Sequence, residues 1–389
     1  MTNSFFQRLI VPGLVFQSAL VGGGYATGRE LIEFFLKLGP VCSLAAMLVA
    51  TSLLSLVCAV AFEYARKFSL YDYRSFFRKL LGSGWIVFEF AYLAMMILVL
   101  SVLGAAAGEL SNTVIHISKF AGSIILMIAI AILVFFGSKT IERALSGWSF
   151  LLYLSYGALI TWSFVAFGEP ISEILTTADQ PQIGWSVFHS GFIYAGYNML
   201  VFTTVLFVAP HFASRSDALW AGLLCGPLGM LPGLFLLLGM MAHYPHVIDE
   251  SLPISYLLEQ LQAPGFVLLF QVVIFGTFIE TGTALLHSFN ERIAAAYVER
   301  SIRMPNWLRP FVAMTVLFVA IYLAEAIGIV KLISQGYTYS TYLFLVLVTM
   351  PLLTRGLWMI LSSRVKPERD NENAPSTPSV SRLAKSGLE

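Results

Sequence analysis

Apolar residues run through this chain in long blocks divided by short polar stretches. Ten blocks are long enough to cross a hydrocarbon core of about 30 Å as helices. They fall near residues 8–36, 40–66, 84–111, 119–137, 142–168, 185–211, 216–243, 264–298, 308–330 and 337–361, with a turn around Gln335 and Gly336 dividing the last two. The pattern predicts an all-α integral membrane fold of ten transmembrane helices within residues 1–363.

The first block breaks its own pattern. Residues 18–30 read SALVGGGYATGRE, three consecutive glycines followed by a fourth and then by an Arg-Glu pair. Glycine costs about 1 kcal/mol relative to alanine inside a helix, and a charge near bilayer depth costs roughly 2.5–3.5 kcal/mol. Main chain that leaves helical geometry at that depth finds no partner in hydrocarbon, so it must be shielded by protein or line a cavity. The string therefore predicts a discontinuous first helix beside a binding cavity. Thr27 and Glu30 have the spacing of a capping box that would restart the helix after the glycines. Arg29 and Glu33, at i,i+4, form an intrahelical ion pair in one reading; in the other, Arg29 clamps or gates a carboxylate.

Basic residues set the orientation. With the N-terminus in the cytoplasm, the inner loops and tails hold all of the 23 Lys and Arg residues except Arg29, Lys37, Lys119 and Lys331. An even number of crossings returns the C-terminus to the same side. Residues 364–389 are polar, mixed in charge and proline-containing, and are expected to form a disordered cytoplasmic tail.

Composition agrees with lipid as the solvent. The chain is 58% hydrophobic and 12% charged, with a mean hydropathy of +0.79; a soluble domain carries about twice that charge. A net charge of +1 leaves no basic excess for nucleic acid. Cys42, Cys58 and Cys225 sit in apolar blocks without metal-ligand spacing and read as small buried hydrophobes.

Five crossings in each half predict two repeats of opposite orientation, about 8–168 and 185–361. The sixth block then pairs with the first, and Gly191, Gly196 and Asn198 interrupt it near its middle. Two breaks meeting near the midplane would line one solute pocket with Gly22, Gly23, Gly24, Tyr25, Thr27 and Arg29 from the first helix. Tyr194, Gly196, Tyr197 and Asn198 would line it from the sixth. Helix ends there offer partial charges of both signs.

In the eighth block, Thr277, Glu280, Thr281, His287, Ser288 and Glu291 recur at spacings of three and four, a polar face directed at the bundle interior. Glu280 lies about halfway along, where an ionised carboxylate needs a cation, a partner or a proton. Two chemistries fit: a proton carried by Glu280, or Na⁺ held by carbonyls near Ala19 and Gly22 and by hydroxyls. In the outer loop at 244–263, the run ISYLLEQLQ predicts a short amphipathic helix lying over the bundle.

The string GGGYATGRE, with ten blocks and a glycine-interrupted sixth, resembles the YkvI-type family of bacterial membrane proteins, which is similar to the amino acid-polyamine-cation transporter superfamily. The resemblance implies the five-plus-five inverted-repeat (LeuT-like) fold with broken first and sixth helices, in a bacterial inner membrane. It also implies a solute site between the first and sixth helices and a sodium site between the first and eighth. Here Thr277 or Thr281 would supply the sodium-binding hydroxyls; the glutamate between them departs from the superfamily pattern.

No P-loop, metal-ligand cluster or nucleophile-base pair of recognisable spacing points to an enzyme. The expected function is secondary active transport of a small polar solute, an amino acid or organic carboxylate, coupled to Na⁺ or H⁺ by alternating access. The alternative is a ligand-sensing membrane subunit that keeps the fold and moves no net solute. Beyond Na⁺ no cofactor is expected. The partners are the solute and the lipid bilayer, and the oligomeric state is left open.

Overall fold

A computed structural model describes residues 5–136, 138–177, 184–299, 304–305 and 307–362; the tail expected at 364–389 lies outside the described residues. Among the described residues every regular element is helical. Among these residues, eight helices are long and apolar enough to cross a membrane: Pro40–Phe68, Tyr73–Ile115, Leu151–Thr176, Trp185–His211, Arg215–Met241, Pro264–Ala294, Leu308–Ile327 and Ile329–Ser362. Two shorter apolar helices, Val11–Leu20 and Lys119–Val134, bring the apolar segments to those seen in the sequence, numbered one to ten in chain order. Phe90, Val165, Phe318 and Trp358 stand exposed while Arg29, Glu30 and Glu63 are buried. That inversion suits a lipid solvent, and the chain is an integral membrane protein.

Boundaries move where local chemistry requires it. Segment nine ends at Ile327, because Gly328 takes φ +78° and its N–H bonds back to the Ala324 carbonyl. Segment ten therefore begins at Ile329 and passes through Gln335 and Gly336 in wide π turns, so the turn expected there lies at Gly328 instead. Segment five runs Ser138–Thr177, past the expected end at 168; a kink at Phe167 accommodates Pro170 without ending the helix.

The interruption of segment six takes the form of a change of pitch. The α-helix Trp185–Asn198 continues as a 3₁₀ helix over Met199–His211. A 3₁₀ run of that length is uncommon and marks a hinge or local strain.

Segment two packs most extensively on segment seven, where Ser55 Oγ donates to the Leu223 carbonyl at 2.8 Å. Segment six lies beside two, and one beside seven; four lies beside eight, and nine beside three; five lies beside eight, and ten beside three. Segments one, three, six, eight and ten thereby surround a common centre.

Candidate functional site

At that centre segment one comes apart. The helix Val11–Leu20 ends, Val21 turns the chain at ψ 79°, and Gly22 is fully extended. A single turn over Gly23–Ala26 follows, then Gly28 at φ +79°, then the helix Arg29–Phe34. The freed backbone groups find protein partners. Tyr156 of segment five donates its hydroxyl to the Ala26 carbonyl at 2.7 Å, and the Ile254 N–H donates to the Thr27 carbonyl at 3.1 Å. Thr27 Oγ1 donates to the Gly24 carbonyl at 2.9 Å and accepts from the Arg29 N–H at 3.3 Å. Main chain can leave the helix at this depth because other segments supply its hydrogen bonds.

The expected capping box does not form. Gly28 occupies the cap position, and Thr27 bridges two turns instead of facing Glu30. Glu30 folds back across the break, against Gly24: a methyl group on Gly24 would come within 2.6 Å of Glu30 Oε1. Oε2 accepts a hydrogen bond from the Tyr197 hydroxyl of segment six at 2.5 Å. Tyr337 of segment ten stacks on Tyr197 at 4.3 Å between ring centroids, so the carboxylate sits against an aromatic pair. Glu30 is only 4% exposed, and among the described residues no Lys or Arg lies within ion-pair distance of it.

Glu30 forms part of the wall of a cavity of about 150 Å³. Ala19 and Gly22 line it from segment one, Tyr197 and Asn198 from six, and Thr281 from eight. Tyr92, Met95 and Met96 of segment three and Tyr337 of ten complete the central part. The lining continues toward the N-terminal end of the bundle through Thr203, Thr204 and Leu285, and Thr204 is exposed. On the other side the break is covered. Tyr25, Ala26 and Thr27 are buried, and the short helix Pro253–Gln260 lies over them as a lid, within the loop where a short amphipathic helix over the bundle was predicted.

Arg29 belongs to this cover. Its Nη1 donates to the Ile248 and Glu250 carbonyls at 2.9 and 2.7 Å, and its Nη2 pairs with Glu33 at 2.9 Å. Lys37 joins the same carboxylate at 2.6 Å. The expectation that Arg29 clamps a solute is corrected accordingly: its guanidinium is committed to the lid loop and does not line the cavity.

Glu280 does not line this cavity: it is half-buried and lies within electrostatic range of Tyr153 on segment five, whereas the adjacent Thr281 faces the cavity. Thr277 also lies off the cavity, its hydroxyl donating to the Val273 carbonyl at 2.9 Å. Of the four residues proposed for sodium, Ala19, Gly22 and Thr281 come together; a methyl group on Gly22 would meet Thr281 Oγ1 at 3.2 Å.

Other predicted residues take supporting places. Gly23 opens the single turn of the break. Tyr25 points away from the cavity to Gly233 of segment seven, where a methyl group would reach its hydroxyl at 2.5 Å. Tyr194 is buried against Phe34 and Phe35. Gly196 packs against Thr341 of segment ten. The Glu291 side chain lies outside the described residues. Glu30 as a cavity acid, and Tyr156, Tyr337 and Tyr92 as its surroundings, were not anticipated.

No family model matches the chain, and no curated protein matches it. Among solved structures it is similar to a manganese transporter of Eremococcus coleocola. A histidine-to-alanine variant and a glutamate-to-glutamine variant of that protein each give a TM-score of 0.49 at 15% identity, over 88% of this chain and 77% of that one. The same transporter in complex with an aromatic bis-isothiourea substituted compound gives 0.48 at 16% identity over the same shares.

Proposed function

We propose that the chain is a secondary active transporter of a small polar solute that works by alternating access. One observation carries this reading. The unwound part of segment one and its buried carboxylate line a cavity that is covered on one side by the lid loop and extends toward the opposite end of the bundle. Discontinuous helices near the midplane are how such transporters present backbone charge to a solute. The neighbour relations among the segments support a five-plus-five repeat, since exchanging one to five with six to ten carries two–seven into itself and each other cited pair into another. This agrees with the resemblance to YkvI-type proteins and to the amino acid-polyamine-cation superfamily. With the N-terminus in the cytoplasm of a bacterial inner membrane, the conformation is closed outward and open inward.

For coupling, Na⁺ suits the Thr281 hydroxyl opposite the loosened chain at Ala19 and Gly22, and a proton suits Glu30. Uptake into proteoliposomes under imposed Na⁺ or H⁺ gradients tests the proposal. Gradient-driven accumulation of a solute is the expected result; flux indifferent to both gradients overturns it.

A further inference from the structure

Two crossings from the N-terminus, the chain is back at the end of the bundle where it began, and segment three opens there with a short helix of its own. Tyr73–Leu81 buries Phe76, Phe77 and Leu80 and carries Arg74, Arg78 and Lys79 elsewhere on its surface. Gly82, at φ +61°, turns the chain, and Trp85 begins the long helix to Ile115. An amphipathic helix with basic residues on its polar face suits the boundary between water and lipid.

Basic groups converge on that corner. Arg74 and Arg78, one helical turn apart, hold their guanidinium carbons 5.0 and 4.5 Å from the centroid of the Trp85 ring. Position 82 continues the same row, and a methyl group on Gly82 would stand 3.9 Å from Nη1 of Arg355 on segment ten. Arg78, Lys79 and Arg355 are exposed. The carboxylates closest in sequence are directed elsewhere: Asp72 caps the helix by accepting from the Ser75 N–H and hydroxyl, and Glu89 keeps Oε1 buried. A ring face orients a guanidinium and leaves its N–H edges for an acceptor, and phosphate is an acceptor that clustered arginines fit well. Just after Trp85, Ile86, Val87 and Phe90 are exposed; in a chain that spans a membrane, lipid is the solvent such side chains suit.

We infer that Arg74, Arg78 and Arg355 form a headgroup site for an anionic phospholipid, whose acyl chains run along Ile86, Val87 and Phe90. A free phosphate makes no use of the apolar strip, and a zwitterionic headgroup brings its own ammonium toward Lys79 and Arg355. None of these side chains lines the solute cavity, so the site is independent of the proposed transport.

Binding to the purified full chain in neutral detergent tests it, read by native mass spectrometry and thermal shift with three probes: phosphatidylglycerol, phosphatidylcholine of the same chain length, and glycerol 3-phosphate. Phosphatidylglycerol is expected to bind about tenfold or more tighter than phosphatidylcholine and to raise the melting temperature, which glycerol 3-phosphate leaves unchanged. A basic side chain near a bilayer surface contributes about fivefold in affinity for anionic lipid, so Arg74→Gln combined with Arg78→Gln is expected to weaken phosphatidylglycerol roughly thirtyfold. Arg215→Gln removes an exposed charge from the same end of the bundle and is expected to change that affinity by less than about twofold. Equal binding of the two lipids, glycerol 3-phosphate binding as tightly as phosphatidylglycerol, or the same loss per charge in Arg215→Gln each overturns the site. Unchanged affinity in the double variant does so too. The wild-type order of the three probes decides the matter should a variant fail to fold.

Discussion

The Tyr197 hydroxyl donates to Glu30 Oε2 at 2.5 Å, a direct hydrogen bond between the broken segment one and the pitch-changing segment six. Both residues line the cavity, so the bond links the solute space to two irregular segments of the bundle. A hydrogen bond to a charged group contributes about 1.5–3 kcal/mol, and removing one partner leaves the buried carboxylate short of a donor. Tyr197→Phe is therefore expected to lower unfolding stability by roughly that amount, and to weaken solute binding. Denaturant titration in detergent measures the first effect and calorimetry the second.

Glycine at position 24 makes room for the Glu30 carboxyl group. In Gly24→Ala the new methyl would crowd Glu30 Oε1 at 2.6 Å and Ile333 Cδ1 at 2.8 Å, and one of them has to move. Gradient-driven uptake is expected to be lost. Gly157→Ala is the control: it has open space around it in segment five and is expected to keep uptake, with stability raised by about 0.5–1 kcal/mol. Equal uptake by the two variants would remove the role given to position 24.

Arg29 locks the lid. Its loss leaves the Ile248 and Glu250 carbonyls without that donor and the half-buried Glu33 with Lys37 alone; a hydrogen bond from a charged group contributes about 1.5–3 kcal/mol. Arg29→Ala is expected to raise hydrogen exchange in residues 246–260 and to shift the protein toward an outward-open state. Arg29→Lys is expected to restore little, because one ammonium cannot reproduce a guanidinium fork that serves three acceptors. Unchanged exchange over the lid loop would argue against the lock.

How far the sequence could be read depended on whether rotation about a helix axis mattered. Three glycines at bilayer depth have few explanations other than a break, and the apolar blocks fix the segments by length alone. Which side chain enters the cavity is a finer matter. Adjacent helical residues project about 100° apart, and two charges named for the site each stand one position from a residue that lines the cavity: Arg29 beside Glu30, and Glu280 beside Thr281. The rotation of Arg29–Phe34 is set by Gly28 at φ +79° and by the packing of Ile254 over it, and neither is visible in local pattern. Tyr156 and Tyr337 reach the site from segments far along the chain, so only tertiary packing could bring them in.

The same distinction gives a test of ion coupling. If Na⁺ binds opposite the loosened chain, Thr281→Val deletes a hydroxyl that faces Gly22, while Thr277→Val deletes one already bonded within its own helix. Sodium dependence of uptake is expected to fall about tenfold or more in Thr281→Val, and to change little in Thr277→Val or Glu280→Gln. Loss confined to Glu280→Gln would return the coupling role to Glu280.

The most direct measurement is side-specific labelling of a cysteine placed in the cavity. Cys42, Cys58 and Cys225 are buried and can be replaced first. Thr204→Cys, on the exposed part of the lining, is then treated with a membrane-impermeant maleimide in oriented vesicles. Labelling from the face that carries the N-terminus, with protection by bound solute, is the result expected of an inward-open solute cavity at the break in segment one. Labelling from the lid face, or labelling that solute leaves unaltered, would contradict it.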